Sequence, residues 1–124
     1  MAIQVLKARW ITRENVQANP DKAYLFGDNL LRTGNAGQAK QMRGEPNAIG
    51  IPTKNRPSST EGSYFTDKDF EKVKPEIDKA LKLAMKYKTI VVPQMGIGTG
   101  LAQLKFRAPR IFEYIETSIE NLTR

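Results

Sequence analysis

The chain has 124 residues, with 20 Lys plus Arg against 13 Asp plus Glu and a formal net charge of +7, so a single domain over 1–124 is expected and its natural partners are anions. Cysteine and histidine are both absent, which excludes disulfides, thiol nucleophiles, imidazole acid–base pairs and Cys/His zinc sites, and neither a metal nor a cofactor is expected. The start MAIQVLKARW lacks a basic head followed by an apolar core, and no apolar run approaches ~18 residues, so a cytoplasmic chain with no membrane partner is expected.

In chain order, Ile3 and Val5 alternate with polar residues over 3–10, predicting an edge or half-buried strand. Residues 12–22 carry Asn15, Asn19, Pro20 and Asp21 and read as a connector with at most one helical turn. A short apolar run at 23–26 predicts a buried strand emptying into a loop at Gly27, Asp28 and Asn29. Good helix formers between Gly34-Asn35 and Gly44 predict a short helix over 36–43. The run AIGIPT predicts a strand over 48–53, followed by a polar excursion to Asp69. Apolar residues recur at spacings of three and four from Phe70 to Ala84, predicting an amphipathic helix over 70–87 with Pro75 in or near its first turn. The segment TIVV predicts a buried strand over 89–92, and Phe112, Ile115, Ile119 and Leu122 mark a last helix over 108–122. This order of elements is that of an α/β domain, its helices covering a mixed sheet.

Two loops stand where chemistry is expected, because ligands of open α/β sheets bind outside the carboxyl ends of strands. FGDNLLRTGNAGQAK (26–40) and PQMGIGTGLAQLK (93–105) each follow a strand, and together they hold six of the nine glycines. Neither has the Gly-Lys-Ser/Thr of a P-loop or the full dinucleotide-binding fingerprint, but glycine loops of this kind let backbone amides approach phosphate.

The pair of loops resembles that of the macro domain, and the resemblance runs from the first strand to the last helix. GNAGQAKQMRG, AIGIPTKNRPSS and VVPQMGIGTGLAQL, in that order, are similar to the branch that removes ADP-ribose from acidic side chains or from DNA. The resemblance implies a three-layer α/β/α sandwich with a mixed central sheet, and ADP-ribose or a related NAD-derived nucleotide as ligand. It implies that Asn29 lies by the distal ribose, that Gly27, Gly34, Ala36, Gly37 and Gln38 pass close to ribose and phosphates, and that Gly96, Ile97, Gly98, Thr99, Gly100 and Leu101 wrap the diphosphate. If the domain is an enzyme, Asp28 and Asn29 position water to hydrolyse an ADP-ribosyl linkage on protein or nucleic acid, helped by Lys40 or Arg43. The chain departs from the family in two places. Arg9-Trp10-Ile11-Thr12 stands where many macro domains carry an adenine-reading Asp, leaving Trp10 to stack on a base, and no Asp or Glu occurs between Asp78 and Glu113.

Plainer roles stand beside these. Asp28 suits a turn or helix cap as well as a water-positioning carboxylate, and Lys40 and Arg43 suit a solvated helix face. Lys54, Arg56, Ser58 and Ser59 form either a phosphate-contacting or a surface loop, while Tyr64 and Phe65 either cover a ligand or anchor the core. The alternatives to hydrolysis are a non-catalytic nucleotide reader or sequestering protein, and a nucleic-acid-binding domain acting through net charge.

Overall fold

A computed structural model describes residues 3–100 and 102–123. Four strands, β1 (Gln4–Ala8), β2 (Lys22–Asn29), β3 (Ala48–Lys54) and β4 (Thr89–Pro93), form a sheet in the order β1-β4-β2-β3. Every pairing between them is parallel, so the sheet is not the mixed one expected. The reason lies in the connections. A helix separates each strand from the next, namely α1 (Arg13–Ala18), α2 (Gln38–Met42) and α3 (Phe70–Ala84), and each crossover returns the chain to the same end of the sheet.

Alternation along the strands sends side chains to two cores. Ala23, Leu25, Ile90 and Val92 face one side, where α3 contributes Val73, Ile77 and Leu81, and α5 (Pro109–Asn121) contributes Ile111, Ile115 and Ile119. Tyr24, Phe26 and Val91 face the other, against Val16 of α1 and Ala39 and Met42 of α2. The result is the expected three-layer α/β/α sandwich, with α1 and α2 on one face and α3 and α5 on the other.

Several boundaries differ from the sequence reading. The segment read as a connector contains α1, because Thr12 and Asn15 form a capping box and Val16 is fully buried. Strand β2 continues past Phe26 to Asn29 because it keeps its pairing with β3, with an irregularity between Asp28 and Asn29. A short α4 (Leu104–Arg107), unforeseen, follows the second glycine loop. Pro75 lies in the second turn of α3, near the first as expected, and a 3₁₀ turn over Asp67–Asp69 leads into the helix. Pro75 and Glu71 both face solvent, so water can reach the carbonyl that the proline leaves without its i+4 donor.

Candidate functional site

The central strands β2 and β4 pair only from Lys22↔Thr89 to Tyr24↔Val91. Beyond that point β2 stays with β3 while β4 stays with β1, and the sheet divides toward its carboxyl end. The chain leaves β2 toward the face of α2 and leaves β4 toward the face of α5. Adjacent strands whose connections depart to opposite faces define a topological switch point, the place where open α/β sheets bind ligands. A cleft of about 500 Å³ lies there, within the range of small-molecule sites.

Gly27 forms the floor. A Cβ at this position would stand 3.5 Å from the Gly98 amide nitrogen and 3.5 Å from Thr53 Oγ1, so the two loops meet across it. The second loop is pinned from behind, with Ile97 and Leu104 in the core and the Leu104 amide donating to the Gly98 carbonyl at 2.9 Å. Gly98 has φ +81°, and a Cβ there would come within 2.9 Å of Leu104 Cδ2. Among the described residues nothing accepts from the amides of Gly98, Thr99 or Gly100. These are donors that a bound anion can use.

The first loop is held by Asp28, Asn29 and Arg43. The Asn29 side chain donates to the Thr33 carbonyl at 2.7 Å and accepts from the Leu31 amide at 3.0 Å, closing an Asx turn. Asp28 is nearly buried. It accepts from Arg43 Nη2 at 2.5 Å and Nη1 at 3.2 Å, from Arg32 Nη1 at 3.3 Å and from the Asn29 amide at 2.8 Å. Arg43 also donates to the carbonyls of Gly34 and Thr33. Its guanidinium therefore clips the loop to the end of β2, a role that a lysine's single ammonium does not reproduce.

A family model, described as a family of unknown function (DUF7831), matches residues 6–118. The chain belongs to the DUF7831 family. No curated protein and no solved structure matches it.

The matched span of the DUF7831 model runs from β1 into α5 and includes both glycine loops. Of the residues singled out in the sequence, Trp10, Gly27, Asp28 and Asn29, Gly34, Ala36, Gly37 and Gln38 on the first loop, and Gly96, Gly98, Thr99 and Gly100 on the second, all line the cleft. Two do not. Ile97 is buried in the core as the second loop's anchor, and Lys40 lies exposed on α2 outside the cleft wall, leaving Arg43, at the end of that helix, as the cleft-lining cation of the segment. Leu101 falls outside the described residues. Gln38 lines the wall, but its amide is committed to Ile11, accepting from the backbone N–H at 2.8 Å and donating to the carbonyl at 2.7 Å.

Sequence reasoning missed Arg9, Thr53 and Met95 as lining residues and left Lys54, Ser58 and Tyr64 undecided. Lys54 donates to the Ser58 carbonyl at 2.5 Å, and both its ammonium and the Arg107 guanidinium lie against the Tyr64 ring, at 4.7 and 3.7 Å from the centroid. Burial, and then the charge of Arg107, hold the Lys54 ammonium below the usual lysine range. Phe65 belongs to the core. Behind the second loop, the Glu116 carboxylate lies 2.7 Å from where a Gly96 Cβ would stand, and burial pushes its pKa up against the opposing pull of Lys7.

The charge of the cleft wall follows from these assignments. Arg9, Arg43 and Lys54 are its cations and Asp28 its carboxylate, among the described residues. No cluster of three or more acidic side chains suited to a metal ion occurs among them, and no helix is long and apolar enough to cross a membrane.

Proposed function

We propose that this cleft binds ADP-ribose or a related NAD-derived nucleotide. The observation that carries the reading is the cleft itself, a switch-point opening walled by two glycine loops and lined by three cations against one carboxylate that is already ion-paired. Loop amides from Gly98 to Gly100 suit the diphosphate, and the surplus positive charge of Arg9 and Lys54 favours an anionic ligand over a neutral sugar. The likeness of both loops to those of macro domains supports the same choice.

Geometry favours a binding protein over a hydrolase that uses Asp28 as its base. To accept a proton from water, the Asp28 carboxylate would have to release a guanidinium that grips both of its oxygens. Asn29 likewise spends its side chain on its own loop.

Calorimetric titration with ADP-ribose, AMP, NAD and ribose 5-phosphate tests the reading, with Gly100→Glu as the control. Gly100 lines the cleft and a Cβ there meets nothing within 4 Å among the described residues, so the substitution adds a negative charge without disturbing their packing. Micromolar ADP-ribose binding by the wild type, weakened about tenfold or more in an equally stable Gly100→Glu variant, is the expected result. Lack of heat from the folded wild type with all four ligands would overturn it. Release of ADP-ribose from a labelled conjugate under the same conditions would establish turnover and overturn the non-catalytic assignment alone.

A further inference from the structure

Arg9 and Trp10 leave the sheet beside Gln94 and Met95, because Ala8 pairs with Pro93 and the Gln94 amide donates to the Ala8 carbonyl at 2.8 Å. Trp10 is 53% exposed and Met95 78% exposed, yet both line the cleft. Exposure here does not come from a loosely held chain. The next residue, Ile11, is buried in the core, and both of its backbone polar groups are bonded to Gln38. A large aromatic ring is thus carried on a fixed point of backbone in the wall of an anion-suited cleft, which the exposed Met95 also lines.

Two cleft-lining side chains suited to reading a base edge, Gln38 and Asp28, are committed to the protein itself. The Gln38 amide is spent on Ile11, and Asp28, the carboxylate of the cleft wall, is held by two arginines. Arg9 lines the cleft and has no partner among the described residues, and its guanidinium can donate to an acceptor on any nucleobase, a ring nitrogen on adenine and a carbonyl oxygen on the others. Stacking on an aromatic face is likewise tolerant of base identity.

We infer that the Arg9–Trp10–Met95 corner is a base-stacking shelf that does not discriminate among nucleobases, so that the cleft accepts nucleoside diphosphates of any base and draws its selectivity from the diphosphate and ribose. This rests on the nucleotide reading of the cleft. It widens the substrate class beyond adenine nucleotides.

Trp10 is the single tryptophan of the chain, so its fluorescence reports this corner directly. Titrations with ADP, GDP, CDP and UDP are followed by both quenching and calorimetry, with ADP-ribose and base-free ribose 5-phosphate alongside. All four nucleotides are expected to quench Trp10, with dissociation constants within about threefold of one another, while ribose 5-phosphate binds without quenching. Trp10→Ala should weaken all four about tenfold and leave ribose 5-phosphate unchanged, and Trp10→Phe should restore most of the loss. A preference for adenine above about tenfold, or calorimetric binding of the nucleotides without quenching, would overturn the shelf and leave the nucleotide reading standing. Failure of ADP-ribose and every other ligand to bind would overturn both.

Discussion

Asp28 accepts hydrogen bonds from three residues at once, the guanidiniums of Arg43 and Arg32 and the amide of Asn29, in a space that Gly50 leaves open. A Cβ on Gly50 would stand 2.4 Å from Asp28 Oδ2 and 2.7 Å from Asp28 Cβ. Burial of a carboxylate is sustained only while its partners remain, and the side chain of Asp28 is 3% exposed against 21% for Arg43. Arg43→Ala is therefore expected to destabilise the fold by about 2 to 3 kcal/mol, below the roughly 3–5 kcal/mol of a fully stranded charge because Arg32 remains. Urea denaturation measures it, and Gly50→Ala should move stability in the same direction by forcing Asp28 from its place. Arg43→Lys should recover little, since one ammonium cannot span both carboxylate oxygens and the two loop carbonyls. A variant that lost no stability would mean that Asp28 is not held as described.

At the scale of elements, α3 and α5 are joined on their outer side by a polar cluster. The Tyr114 hydroxyl donates to Asp78, Lys74 pairs with Asp78 at 3.0 Å, and the Phe70 and Tyr114 rings meet edge to face with centroids 5.4 Å apart. The Tyr114 hydroxyl bond, with help from Lys74 and against burial, lowers the Asp78 pKa from its ordinary 3.8. Because the folded state binds the proton less tightly than the unfolded one, the stabilisation is complete above 3.8 and fades as pH falls through the lower folded value. Tyr114→Phe should thus lower the melting temperature by a constant amount between pH 7 and about 5, with the gap to wild type narrowing in more acid solution. Asp78 is 44% exposed on its side chain, so the effect is modest. Thermal melts across that range test it, and a gap that widened in acid would assign the opposite sign.

The molecule as a whole combines a formal net charge of +7 with a cleft whose carboxylate is neutralised from within. Long-range attraction between exposed charges is screened by salt, whereas hydrogen bonds inside a cleft are screened far less. ADP-ribose affinity is therefore expected to fall by about tenfold or less between roughly 50 and 500 mM salt, against the several decades typical of a protein that neutralises many phosphates. Calorimetry across a salt series decides it. A slope of several decades, with no competition by free ADP-ribose against a polynucleotide, would favour plain nucleic-acid binding.

Local pattern carried much of this architecture. The apolar run at 23–26, the run TIVV, and the three-and-four spacing from Phe70 to Ala84 are consequences of strand and helix patterns, which need no partner to be read. Both glycine loops were legible for the same reason, as breaks in those patterns. Tertiary structure decided what depends on residues far apart in the chain. Strand direction became parallel once each crossover held a helix. The cleft opened because β2 and β4 part company beyond Tyr24 and Val91. Asp28 changed from a loop carboxylate into an ion-paired one when folding brought Arg43 beside it, and Ile97, read as part of a ligand loop, became that loop's anchor in the core. Each of these turns on burial and on the pairing of charges in space, and neither quantity exists until the chain has folded.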